Sequence, residues 1–491
     1  MAQRKNVVIF YSDQQRGDSL GCMGNALART PNLDALARRG VLYRRHHATN
    51  PVCMPSRASF HTGRYPQAHR VIDNGIFLPA DQVTLAETFR RAGYRTVSYG
   101  KLHFQTFARY EGDQSMESLD RWGRGELDGW NGPYYGFEEV GLTVAHGEGC
   151  GGHYGRWRER NFPGLKLGPD HAQGGEVFKQ FACYKSNLPL EAHHSTWVAD
   201  RAVEFLDRRQ PDDRPFLLHV SFPDPHHPFT PPAPYHSMFD DVEFPPPHAV
   251  PGENDTKPTP YRLTMTRQIF PTDGGAKRHA DLPGRAYQRV VAHTYGMVSL
   301  IDASVGRVIA KLKERGLLDR TVIVFSSDHG DFLGDHFLLH KGQLPCRSLL
   351  HIPLIVADPD VRPGVCDAVC GNVDVMPTLL ASCRLEIPET VQGMVLPSPG
   401  EPPRRDDAFE AGWSKASYEY HHFTLYTEDW RLSVFPNLRE GEMYDLKADP
   451  HEHRNLYDDP AFRARRQELT ESLLWAVGAA EPRKPPIVTM W

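Results

Sequence analysis

The stretch Cys53-Met54-Pro55-Ser56-Arg57, continued by Ala58-Ser59-Phe60-His61-Thr62-Gly63-Arg64, combines residue types that could do chemistry. Pro55 suits the first turn of a helix and Gly63 its exit, so the spacing predicts a short helix with Cys53 just before its N-terminus. Free amides and the helix dipole at that point favour an anion. On these residues alone two readings of the cysteine stay open: a buried thiol that merely precedes a helix, or a reactive group beside an anion site. Asp13-Gln14 and Asp328-His329 add carboxylate, amide-oxygen and imidazole donors. That mixture suits a hard or borderline divalent cation such as Ca²⁺, Mg²⁺ or Mn²⁺, and no soft thiolate trio accompanies it to specify structural zinc. Lys101, Lys341 and Arg57 could face a small tetrahedral oxyanion, Arg57 in bidentate fashion.

Short apolar runs at 6–11, 96–99, 216–221, 322–325 and 353–356 read as buried parallel strands. Helical patterns fall between them: from Pro31, after a Thr30 cap and before Gly40, and over 82–93, 195–209 and 287–317. Strands alternating with helices predict an α/β fold whose mixed, mostly parallel sheet is covered by helices on both faces. In open sheets of this kind ligands bind at the carboxyl ends of the strands. There the first run leads into Asp13-Gln14, the second into Lys101 and His103, the third into Asp224 and His226, and the fourth into Asp328-His329-Gly330-Asp331. Each pair alone could be a capped turn, but four of five runs delivering such groups to one edge weaken that reading. Two irregular stretches, 105–190 and 223–285, read as insertions that shape a site, form peripheral loops or make contacts in a homo-oligomer. After a Pro-rich linker at 397–403, short antiparallel strands at 423–426, 430–435 and 443–445 and a helix over 460–477 predict a small α+β unit. The expected organisation is a catalytic α/β domain over 1–400 and a C-terminal subdomain over 405–491.

A chain of 491 residues is long for one core. A net charge of -5 excludes an overall nucleic-acid footprint. The apolar run near the N-terminus is too short for a signal peptide and no stretch is long enough to span a bilayer, so a cytoplasmic location without membrane contact is expected. Eight scattered cysteines predict reduced, mostly buried thiols rather than a disulfide framework.

Cys-x-Pro-Ser-Arg followed by Thr-Gly-Arg resembles the signature of type I sulfatases, in the alkaline phosphatase superfamily. Asp13-Gln14, Asn32 within TPNLDALARRG, Lys101-x-His103, Pro225-His226-x-Pro228, Asp328-His329-Gly330 and Lys341 fall in the same family's order, so the resemblance covers roughly 6–380. It implies that a separate formylglycine-generating enzyme oxidises Cys53 to formylglycine (3-oxoalanine), whose hydrated gem-diol supplies the nucleophilic oxygen. It implies further that Asp13, Gln14, Asp328, His329 and the modified Cys53 hold one divalent cation, and that Asp328 also accepts the nucleophile's proton. By the same resemblance Arg57 would steady the modified side chain, and Lys101 and Lys341 would offset charge on the sulfuryl oxygens. His226, in the Pro-His-x-Pro position, is chosen over His227 to protonate the leaving oxygen. The resemblance implies that His103 removes the proton from the second hydroxyl, which expels sulfate and regenerates the aldehyde.

Many sulfatases carry two adjacent aspartates after the first strand and Asp-Asn after the late one. Asp13-Gln14 and Asp328-His329 resemble instead the phosphonate monoester hydrolases and phosphodiesterases, which also use formylglycine. Asn74, in Asp73-Asn74-Gly75, has a counterpart near the anion in those enzymes and otherwise reads as a turn residue. His329 accommodates Mn²⁺ or Zn²⁺ better than asparagine does, so Ca²⁺ is not the sole expectation. Lys101 and His103 are the sulfatase pair, where the phosphonate hydrolases usually place Tyr and Thr. The expected activity is therefore sulfate ester hydrolysis of an aryl or sugar sulfate. Phosphonate monoester or phosphodiester cleavage, or promiscuity for both, is the alternative, and a non-catalytic anion-binding relative is the reading from another class.

Overall fold

The structure, a computed structural model, describes residues 4–482 apart from 111, 169–182, 211–212, 266–276, 279–285 and 415–418. Parts of both expected insertions thus lie outside the described residues. The β-branched and aromatic run Asn6–Ser12 forms β1 at the middle of an eight-stranded sheet. The other strands are β2 (Val41–Tyr43), β3 (Arg95–Gly100), β4 (Glu139–Val144), β5 (Phe216–Ser221), β6 (Thr321–Ser327), β7 (Leu354–Ala357) and β8 (Gly364–Cys366). Their order is β8-β2-β7-β6-β1-β5-β3-β4. β6, β1, β5, β3 and β4 run parallel, while β7 is antiparallel to both β6 and β2. The 353–356 run is thus a strand, as expected, but not a parallel one.

Alternation along β1 divides the core. Val7, Ile9 and Tyr11 face one layer with Phe60, Leu85 and Phe89, and Val8 and Phe10 face the other with Trp197, Val198, Ile301 and Val305. The first layer is carried by helices α2 (Cys53–Thr62) and α3 (Leu85–Arg91), which follow α1 (Pro31–Arg39). The second is carried by α5 (His194–Asp207) and α6 (Ala286–Glu314). All these side chains are essentially inaccessible, and each contributes on the order of 1.5–3 kcal/mol of transfer free energy.

The stretch 105–190 is not wholly an insertion. Within it β4 forms the edge of the main sheet, and α4 (Gly152–Asn161) follows. The C-terminal strands form a separate antiparallel sheet in the order β9 (Asp407–Ser414), β10 (Tyr420–Thr427), β11 (Trp430–Phe435), β12 (Glu440–Asp445). The sequence reading lacks β9, whose Glu410 and Gly412 break the apolar pattern. Helix α7 (Arg463–Ala480) packs Leu469 and Leu473 against Leu425, Leu432 and Met443. Among the described residues no helix is long and apolar enough to cross a membrane.

Candidate active site

The registers Ser12–Ser327, Tyr11–Ser221 and Gly100–Ser221 keep the carboxyl ends of β6, β1, β5 and β3 level. The residues that follow these four adjacent strands therefore converge. Gly100 makes the approach possible: its φ is +108°, and a Cβ there would lie 1.7 Å from the Ser221 carbonyl oxygen. Across the cluster, α2 begins at Cys53 itself rather than just after it, and Gly63 closes the helix at φ 62°. Asn74 is exposed, and its Oδ1 accepts the Met54 N–H at 3.0 Å, taking up one of the amides at the helix start.

Cys53 Sγ is the meeting point. Lys341 Nζ lies 2.8 Å from it, His329 Nε2 3.2 Å, and Asp13 Oδ1 and Lys101 Nζ 3.6 Å each. Burial and the Asp13 carboxylate push the Cys53 thiol up, against the two lysines. Arg57, fully buried, donates Nε to Asp328 Oδ2 at 2.8 Å, reaches Asp13 Oδ2 at 3.4 Å, and anchors itself on the Lys101 carbonyl and Ser221 Oγ. Lys101 Nζ also contacts Asp13 Oδ2. Burial alone would raise the Asp13 carboxyl, but Lys101, His226 and Arg57 hold it well below the usual range. Burial and Asp13 push Asp328 up, yet His329 and Arg57 keep it lowered.

The imidazoles are neutral and oriented. Burial lowers His329 to about 4; its Nδ1 lies 2.8 Å from the Gly330 carbonyl, which assigns the proton to Nδ1 and leaves the Nε2 lone pair facing Cys53. His226 is likewise lowered by burial, and its Nδ1 contacts the His227 carbonyl, which assigns the proton to Nδ1 and the lone pair to Nε2. His103 sits in a left-handed turn at φ 56°, held by its own N–H to Glu117 Oε2 at 2.7 Å, with its pKa also lowered by burial.

Asp13, Cys53, Asp328 and His329 each present a donor within 4.8 Å of the others. Gln14, in a left-handed conformation at φ 64°, donates Nε2 to Asp331 Oδ2 and lies 3.2 Å from His227 Nδ1. Its Oε1 is buried without a hydrogen-bond partner among the described residues. Two carboxylates, an amide oxygen with no partner among the described residues and the His329 Nε2 lone pair, which Lys341 Nζ meets at 3.0 Å, make a donor set that fits one divalent cation.

The structure thus brings Asp13, Gln14, Cys53, Arg57, Lys101, His103, His226, Asp328, His329 and Lys341 to one edge. It adds His146, which the sequence reading passed over, and gives partners to Asp331 and Asp224, which that reading placed at the strand ends. His146 stacks on His226 at 3.5 Å between centroids and 6°, and accepts from Lys101 Nζ at 2.6 Å. Its signal was present, since the apolar Val140–Val144 part of β4 runs into Ala145-His146 as the other strands run into their polar pairs. Asp331, pushed up by burial to about 6, orients Gln14. Asp224, pushed up by burial to about 7, stays at the strand end and accepts from Ser195 Oγ at 2.6 Å.

An open mixed sheet with a helix-start cysteine and acidic, basic and imidazole groups on its carboxyl edge defines an α/β protein with a candidate anion- and metal-binding edge. The chain belongs to the sulfatase family: the Sulfatase family model matches residues 5–383. A second model, that of the N-sulphoglucosamine sulphohydrolase C-terminal region, matches 334–477. The multifunctional alkaline phosphatase superfamily protein PehA of Trinickia caryophylli is 31% identical over 97% of this chain and 96% of its own. An arylsulfatase of Clostridium perfringens is 29% identical over 96% and 94%. Among solved structures, the phosphonate monoester hydrolase SpPMH from Silicibacter pomeroyi superposes with a TM-score of 0.81 at 27% identity, covering 98% of this chain and 96% of that one.

Proposed function

We propose that this chain hydrolyses sulfate esters of an aryl or sugar alcohol, with Cys53 in its formylglycine form. The observation that carries the reading is the convergence of Lys101, Lys341, His329 and Asp13 on one buried sulfur at a helix start. Two ammonium groups there offset the charge of a tetrahedral oxyanion, and they gain force from exclusion of water. Asp13, Gln14, Asp328 and His329 would hold a divalent cation, which would supply Lewis acidity at this edge. Arg57 keeps the two carboxylates ionised and close. His226 reaches the leaving oxygen through Nε2, as a general acid once it has gained a proton in the complex, and His103 serves as base on the opposite step.

His146 belongs to this reading as the group that holds Lys101 and the His226 ring in place. The His146→Ala variant is expected to lower kcat by about 10²-fold and shift the acid limb of its pH profile, with KM little changed. An unchanged profile would remove His146 from the assignment. Chelation is expected to abolish turnover, and Mn²⁺ or Ca²⁺ to restore it.

Phosphonate monoester or phosphodiester hydrolysis is the second reading, favoured by the Gln14 and His329 donors and by the likeness to SpPMH and PehA. One metal-loaded preparation assayed on an aryl sulfate, an aryl phosphonate monoester and an aryl phosphodiester decides between them. We expect kcat/KM to be largest for the sulfate; a larger value for either phosphorus ester reverses the order of the two readings.

A further inference from the structure

Away from the Cys53 cluster, three segments distant in sequence bring a carboxylate and two imidazoles together. Glu253 opens a short helical turn, His336 lies between Asp331 and Lys341, and His453 belongs to the turn after β12. Glu253 Oε2 is 3.0 Å from His336 Nδ1 and 2.9 Å from His453 Nδ1. One donor atom of each residue lies within 4.8 Å of the other two. Glu253 and His336 are buried, whereas the His453 side chain keeps 25% exposure and opens the cluster to solvent.

The surroundings fix these donors before any ligand arrives. The His336 N–H donates to the His248 carbonyl at 3.0 Å, and the His248 N–H to Asp335 Oδ1 at 2.9 Å. The His248 and His451 rings stack at 3.4 Å and 13° beside the cluster. The turn that carries His451 and His453 is pinned by Glu452, whose carboxylate takes Arg431 Nε at 2.7 Å and the Arg347 N–H at 2.9 Å. Next to Glu253, Asn254 donates Nδ2 to the His336 carbonyl, while its buried Oδ1 has no hydrogen-bond partner among the described residues.

We propose that Glu253, His336 and His453 hold a second divalent cation of the zinc or cobalt class. Two imidazoles and one carboxylate are the donors that borderline transition metals select, whereas Ca²⁺ and Mg²⁺ take more oxygens. Bonds of about 2.0–2.2 Å place tetrahedral donors a little over 3 Å apart, close to the 3.0 Å and 2.9 Å that separate Glu253 Oε2 from the two imidazole nitrogens. Three protein ligands leave a fourth position, on the side that His453 opens to water. The ion ties the loop before α6 and the C-terminal turn to the segment that leads to Lys341. It shares no donor with the Cys53 cluster, so it stands or falls independently of the proposed activity.

The test uses the full chain, stripped with chelator and titrated with Co²⁺, in an Asp328→Asn background that removes a donor from the Cys53 cluster. One equivalent is expected to bind, with the visible bands of a low-coordinate imidazole site, and excess Ca²⁺ is expected not to displace it. Adding His453→Gln should weaken that binding by more than the roughly 10–100-fold that loss of a supporting contact costs a metal site. Where Asp328→Asn fails to fold, equilibrium dialysis of the unsubstituted chain against the His453→Gln variant carries the test, with one fewer Co²⁺ expected in the variant. Absence of binding in the Asp328→Asn chain, displacement by Ca²⁺, or equal binding with and without His453→Gln overturns the proposal and leaves Glu253 as the acceptor of two histidine hydrogen bonds.

Discussion

Replacing Cys53 by alanine is expected to lower kcat by at least about 10⁴-fold, the scale on which loss of a covalent nucleophile is felt. The fold should tolerate the change, because α2 is held by Phe60 against Tyr11 at 4.4 Å between centroids and by Arg57 on both carboxylates, not by the sulfur. The serine variant separates the formylglycine reading from simple alkoxide or thiolate attack. Serine has one hydroxyl, so a group transferred to it meets no second oxygen to expel it. Cys53→Ser is therefore expected to release at most one equivalent of alcohol and then stop. An unmodified thiol is a poor candidate on electrostatic grounds too, since burial and Asp13 both favour its protonated form. Mass spectrometry of the Cys53 peptide, taken with the specific activity of the same sample, is the check. A fully active preparation whose cysteine is unmodified, or repeated turnover by Cys53→Ser, would rule out the mechanism.

The five strand runs and the principal helices were legible because each is a continuous apolar or amphipathic segment between turn residues. What periodicity does not encode is pairing, and so the direction of β7 was misread. A four-residue buried run such as Leu354–Ala357 reads the same in either orientation. Strand β4 was lost for a different reason: Gly-rich, charged sequence on both sides disguised a six-residue strand as part of an insertion.

The polar groups at the strand ends were legible because level carboxyl edges turn a one-dimensional pattern into a cluster. Asp13, Lys101 and Asp328, far apart in sequence, meet at Arg57 and Cys53 for that reason. His146 follows the same rule and was missed with its strand. Asp331 was read at its strand end but its bond to the Gln14 side chain was not, and Glu117 could not be found this way, since it acts through a side-chain bond to the left-handed backbone of His103, at φ 56°. No periodicity reports those bonds.

The abundance of buried neutral histidine has a consequence for the whole fold: stability is expected to fall steeply below pH 6.5. Burial lowers His46, His61, His69 and His193 to about 3. His69 Nδ1 accepts the Val71 N–H at 3.1 Å and its Nε2 faces Ser59 Oγ at 2.9 Å, so a second ring proton would break a bond as well as bury a charge. His193 Nδ1 likewise accepts the Ser195 N–H. In the unfolded chain these rings titrate near 6.5. Between about pH 6.5 and 3 the unfolded state therefore binds more protons than the folded one, and stability rises with pH across that window. Each ring contributes up to about 1.4 kcal/mol per pH unit. Asp224 and Asp331, raised to about 7 and about 6, act in the opposite sense, because the folded state keeps protons that the unfolded one releases. Four rings against two carboxyls leave a net of up to about two protons, or up to about 3 kcal/mol per pH unit, a large share of a typical domain's stability. Urea unfolding at pH 7.5, 6.5 and 5.5 should show the midpoint dropping mainly over the lower interval, and His69→Gln should flatten the slope by about one proton. A midpoint that does not move between pH 7.5 and 5.5 would mean that the core opens to admit these protons without unfolding.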